Sequence, residues 1–268
     1  MKKLILISSL VIIALSCSRS NDTPEAASET PVLLTKVISQ DGTTSHYKYN
    51  GTKVSEILYN YGYKDVFTYN EDVITKIISY NSNGAITETI DFTYENNVLK
   101  TVSISNAANT SKSVYSYSYP NSSTVVCTKI RNYMFNGSMQ TVRDINTLTT
   151  NNGNVISEDV VYYYNNVLSG NITANYTYDD KKNPTKNITG FNKISIFIFD
   201  YIGENTGTSN NMLSKSQLNV LTNGSSSSYT NTNTITYNSN GYPTQIIEKQ
   251  HNGSTLNSAF VTNYEYNK

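Results

Sequence analysis

The sequence predicts an all-β protein in which repeated antiparallel β-hairpins form a curved sheet or a partial barrel. Three observations carry that expectation. Aromatic or apolar residues recur two apart, most often as Tyr-x-Tyr, with Thr, Ser or Lys between them. Turns rich in Asn and Gly follow them along the chain. No stretch carries an apolar stripe of helical period over a useful length.

The elements follow in order. Tyr47-Lys48-Tyr49 leads to Val54 and Leu58, and Phe67-Thr68-Tyr69 to Val73 and Ile77. Phe92-Thr93-Tyr94 leads to Val98 and Val102, and Tyr117-Ser118-Tyr119 to Val126 and Ile130. A weaker copy runs from Leu148-Thr149-Thr150 to Ile156 and Val160. Tyr162-Tyr163-Tyr164 leads to Leu168 and Ile172, Tyr176-Thr177-Tyr178 to Pro184 and Ile188, and Ile235-Thr236-Tyr237 to Pro243 and Ile247. Tyr264-Glu265-Tyr266 starts a final copy.

Residues two apart on a strand share a face, so each Tyr-x-Tyr places two rings on one side. The apolar pair four apart shares one face as well. Asn50-Gly51-Thr52-Lys53, Glu95-Asn96-Asn97, Asn165-Asn166 and Asn238-Ser239-Asn240-Gly241 lie between the arms. Asn and Gly accept the positive φ angles that tight hairpins require. One hairpin cannot bury its own apolar face, so neighbours must stack. Pro184 and Pro243 suit the first residue of a returning strand, where no ladder donor is needed.

Residues 184–228 break the rhythm. The run Ile194-Ser195-Ile196-Phe197-Ile198-Phe199-Asp200-Tyr201-Ile202 is apolar at nearly every position. It reads as a fully buried strand or as a short helix plugging the concave side of the sheet.

Tyr176-Thr177-Tyr178-Asp179 and residues 235–243 resemble YD repeats of the RHS type. That resemblance implies a curved β-sheet shell with no catalytic residues of its own.

The N-terminus has a different character. Lys2 and Lys3 precede an apolar stretch from Leu4 to Leu15 that is too short to span a bilayer, and Ala14-Leu15-Ser16 leads into Cys17. The segment resembles a bacterial lipoprotein signal, which implies residues 1–16 as signal peptide and lipid on Cys17. Residues 17–31, with Pro24 and Pro31 and no large apolar side chain, read as a flexible tether. Residues 32–268 form the Tyr-rich repeat domain. Ser18 after the lipidated cysteine implies the outer membrane by the same resemblance, with the leaflet left open.

Composition narrows the function classes. The chain has 268 residues, 20 basic and 20 acidic, and only 15% are charged, so no basic stripe points to nucleic acid. There are 2 cysteines; with Cys17 lipidated, Cys127 has no disulfide partner, and its strand context predicts a buried, inert thiol.

No catalytic constellation stands out, and no cofactor is expected. His46 and His251 are far apart, in polar strand or turn contexts, and read as structural. Asp179-Asp180 and Glu71-Asp72 fall at turns, while Glu158-Asp159 on a strand point to opposite faces. Asn81-Ser82-Asn83-Gly84 and residues 238–241 begin like a calcium loop, but the required glutamate and flanking helices are missing. No metal site is expected.

The expected function is a lipid-anchored cell-envelope protein with a non-enzymatic binding or scaffold role. Its partners would be the membrane, through Cys17, and an envelope glycan or a neighbouring protein. Candidate binding residues are Tyr59, Tyr61, Tyr63 and Tyr80, outside the repeat positions, and Ile194, Ile196, Phe197, Ile198, Phe199 and Tyr201. The rival from another class is a carbohydrate-active or other hydrolytic lipoprotein, which needs two carboxylates converging in a cleft. A third reading is a toxin-shell relative shielding a polypeptide in a closed interior.

Overall fold

The computed structural model describes residues 30–108, 110–201 and 207–268. The signal segment, Cys17, the tether up to residue 29, and Ile202 lie outside the described residues.

The repeats build 16 strands. They are β1 (Leu34–Ser39), β2 (Thr44–Asn50), β3 (Lys53–Tyr59), β4 (Lys64–Asn70), β5 (Val73–Tyr80), β6 (Ile86–Glu95), β7 (Val98–Asn106) and β8 (Ser111–Asn121). After them come β9 (Thr124–Phe135), β10 (Ser138–Asn151), β11 (Asn154–Tyr164), β12 (Val167–Tyr178), β13 (Met212–Leu221), β14 (Ser226–Tyr237), β15 (Pro243–Asn252) and β16 (Thr255–Tyr266). Each pairs antiparallel with its sequence neighbour, and β1 pairs with β16 through Val37 opposite Tyr264. The sheet therefore closes into a complete barrel with no free edge, which removes the template for pairing with another chain.

Turn chemistry acts where the sequence placed it. Asn96 and Asn97, at φ 51° and 61°, join Glu95 to Val98 as a two-residue turn with both central φ angles positive. Asn136-Gly137, Asn152-Gly153 and Asn165-Asn166 repeat that geometry.

The core register differs from the expectation in one repeated way. Beyond most turns of the repeat, though not beyond Asn136-Gly137, the returning strand carries one extra residue. Tyr49 faces Val54 but Lys48 faces Glu56, so Ser55 has no partner. The same slip leaves Thr75, Lys100 and Ile156 as bulges. The buried pair is therefore three apart, as in Val54 and Ile57, Ile74 and Ile77, or Leu99 and Val102. Val98, expected in the core, is 43% exposed, whereas Leu99 is 2% exposed. Leu58, Val73, Val126, Ile130 and Ile156 likewise lie outside the buried core. A bulge shifts every later side chain by one position, which reverses its face.

The second tyrosine of the repeat has a distinct role. Tyr94 Oη donates to the carbonyl of Ile74 at 2.7 Å, Tyr119 to that of Leu99 at 2.9 Å, and Tyr178 to that of Val155 at 2.7 Å. Tyr49 reaches Leu34 at 2.6 Å and Tyr266 reaches Pro243 at 2.8 Å. In most of these the acceptor is the residue just before the extra one. The hydroxyl satisfies a backbone group where the bulge disturbs the ladder. Phenylalanine suits the first position of the repeat, as at Phe67 and Phe92, because no such acceptor lies there.

Residues 179–211 leave β12 and return to β13 at the same rim. Within them the apolar run forms α1 (Ser195–Tyr201), so the plugging helix is the alternative that holds. Phe197 meets Phe92 and Tyr115 edge-on at 5.3 and 5.5 Å, and Phe199 meets Tyr176 at 5.3 Å. These are inward rings of the wall, so the helix sits in the lumen. Gly207 crosses it closely: a Cβ there would lie 2.3 Å from the Ser195 carbonyl oxygen and 2.4 Å from the Phe199 nitrogen.

Candidate functional site

The lumen has two chemically different sides. Toward β8–β12 the plug is held by polar contacts. Lys129 Nζ lies 3.5 Å from Asp200, and Asn146 Nδ2 bridges Asp200 at 3.5 Å and Glu158 at 3.2 Å. Tyr176 Oη donates to Glu158 at 2.9 Å, and burial holds the Asp144 carboxyl above its ordinary range. Cys127 is buried beside this network; burial and the nearby Asp200 charge push its thiol up to about 12.

Toward β2–β6 lies a cavity of about 270 Å³ between wall and plug. Its position follows from strand periodicity. Asp65, Phe67 and Tyr69 share the inward face of β4, as Glu88, Ile90 and Phe92 do on β6. Asp65 faces Ser79 on β5, and Ser79 faces Glu88, so one row crosses three strands. Ser79 Oγ and Tyr59 Oη each donate to Asp65 at 2.6 Å, and Tyr201 Oη donates to Glu88 at 2.7 Å. Burial, with the neighbouring carboxylates next, raises the Tyr59 and Tyr201 hydroxyls well above the ordinary phenol range. Tyr47, Phe67, Phe191 and Phe197 supply ring walls. Neither Asp65 nor Glu88 enters an ion pair among the described residues.

A second hollow, about 550 Å³, opens on the other flank of the plug, among Asp72, Lys186, Asn187 and Lys193. Apart from Phe191 and Ile188 it is walled by polar loop residues, so it presents fewer convergent groups for a compact ligand.

The sequence candidates divide. Tyr59, Ile194, Phe197, Ile198 and Tyr201 line the smaller cavity. Ile194, Phe197, Ile198 and Phe199 are buried because the barrel closes around them. Ile196 packs against the same core. Tyr61 is 85% exposed at the β3–β4 turn with Tyr63 beside it, and Tyr80 faces outward under the Lys64 ammonium, 5.2 Å from its ring. Asp65 and Glu88 were missed, although their place in the alternation with Phe67 and Ile90 marks them as inward.

The acidic pairs serve structure. Asp179 accepts bonds from the Asn211 amide and the Tyr237 hydroxyl, and Asp72 pairs with Lys53 at 3.0 Å. Glu158 points inward, while Asp159 lies on the opposite face of its strand. Asn81 Oδ1 accepts from the Asn83 and Ala85 nitrogens, both at 3.0 Å, and Asn238 does the same for Asn240 and Tyr242. These are turn contacts.

The architecture is shared with a solved structure. A porin-like protein from Bacteroides vulgatus is similar over 88% of this chain and 99% of its own, with a TM-score of 0.56 and 14% identity. A porin-like protein from Bacteroides uniformis covers 88% and 95%, with a TM-score of 0.47 and 15% identity. No protein-family model matches the chain, and no curated protein does.

Proposed function

We propose that the protein is a non-enzymatic binding barrel of the cell envelope, attached to the outer membrane by lipid on Cys17, with its barrel wall in water. The observation that carries this reading is the chemistry of the outward face. A membrane-spanning barrel shows lipid an unbroken apolar band about 25 Å tall. Here Lys48 and Glu56 pair at 3.0 Å, Lys76 and Asp91 at 2.7 Å, and Lys36 and Glu265 at 3.3 Å, all on outward positions. Thr230, Thr232, Thr234 and Thr236 line the outside of β14. Val114, Ile130, Ile145 and Val161 also face outward, but Thr128, Arg143, Thr147 and Asp159 break them into small groups. Such a face would be costly in hydrocarbon, most of all at the charges. No helix among the described residues is long and apolar enough to cross a membrane. The fold shared with porin-like proteins would here serve as a water-borne container, and the proposed partner is an envelope glycan or neighbouring protein bound without turnover.

Cys17→Ala in the full chain tests the attachment. The variant is expected to lose lipid labelling, leave the membrane fraction and stay folded and soluble without detergent. Retention in carbonate-washed membranes would place the barrel wall in the bilayer and overturn the reading.

A further inference from the structure

We propose that the cavity between β2–β6 and the plug binds a small organic cation, with its charged nitrogen at Asp65 and Glu88 and its apolar body against the rings. This goes beyond the anchored-barrel reading and does not depend on the lipid.

Charge comes first. Asp65 and Glu88 face one enclosed space with only hydroxyl donors, from Tyr59, Ser79 and Tyr201. Those hydrogen bonds orient the carboxylates and leave acceptor capacity on both. They supply no positive charge, and two carboxylates facing one cavity favour a bound cation.

The walls select the kind of cation. Tyr47, Tyr59, Phe67, Phe197 and Tyr201 border the space, and ring faces attract a weakly hydrated ammonium or guanidinium. A compact metal ion fits poorly, since no group of three or more His, Cys, Asp or Glu able to hold one occurs among the described residues. An anion meets the wrong charge.

Size and access complete the case. About 270 Å³ suits a small molecule rather than a chain of sugars or a peptide. Tyr201 is 40% exposed. Tyr201 lines the cavity, so its exposure gives a ligand a way in from solvent.

Calorimetric titration of the full lipidated chain in detergent, with phenethylamine, phenethyl alcohol and phenylacetate, tests the proposal. The amine is expected to bind at least tenfold tighter than the alcohol, with no heat from phenylacetate. Asp65→Asn and Glu88→Gln should each weaken the amine at least tenfold, leave the alcohol unchanged and preserve the far-ultraviolet circular dichroism. Equal affinity for amine and alcohol, no binding of the amine at millimolar concentration, or full amine affinity in both variants overturns the proposal. Should a variant misfold, the ranking of the three probes on the natural chain decides it. The titration is blind to where the protein is anchored, and fractionation of Cys17→Ala is blind to the cavity, so either reading can fail alone.

Discussion

At the scale of single residues, the bulge beyond a repeat turn decides which side chains matter. Val98 and Leu99 are adjacent and both apolar, yet only Leu99 packs in the core. Leu99→Ala should lower stability by about 2–5 kcal/mol, the cost of emptying a well-packed site. Val98→Ala should change it by about 0.5 kcal/mol, as at other exposed positions. Urea melts of the two variants measure the difference, and equal costs would show that the bulge is misplaced. Nothing in composition distinguishes these two residues. The distinction comes from Tyr94 facing Leu99 while Thr93 faces Thr101, with Lys100 left over.

At the scale of elements, the plug depends on one close approach. Gly207 passes against the backbone of α1 where no Cβ has room. Gly207→Ala should force the two segments apart and loosen the fit of Phe197 and Phe199 against the wall. The expected signs are a lower melting temperature and faster hydrogen exchange at the amides of α1, with the strand amides unchanged. Exchange rates equal to those of the natural chain would mean that the crossing tolerates a methyl group. The run 194–202 was legible as something buried. Whether it became strand or helix was decided by its surroundings. Every strand edge of the barrel is already paired, and a helix satisfies its own backbone groups inside the lumen.

At the scale of the whole molecule, the many enclosed tyrosines link stability to pH. Burial pushes the Tyr47 hydroxyl up to about 12 from an ordinary value of 10, and Cys127 rises to about 12 from 9. Both groups keep their protons in the barrel and lose them earlier in the unfolded chain. Their contribution is complete below the unfolded values and fades as pH rises through this window. Denaturant midpoints should therefore hold steady from pH 7 to about 9, then fall steeply toward pH 12. A flat profile across that range would show the hydroxyls to be more solvated than the packing indicates.

Much of this was determined by local chemistry that a sequence displays openly. Asn and Gly permit the positive φ angles, so the hairpins fall where those residues fall. Alternation at period two separates the faces, and the inward series Asp65-Phe67-Tyr69 and Glu88-Ile90-Phe92 already hold the cavity's acids beside its rings. Only the tertiary structure decided three further matters. It shifted the buried pair from four apart to three, because an extra residue leaves no mark in composition. It joined β1 to β16, a pairing of Leu34 with Tyr266 across nearly the whole repeat domain. It brought Tyr201 to Glu88, although 113 positions separate them along the chain. Contacts at such distance follow from how strands stack and close, and no local pattern encodes them.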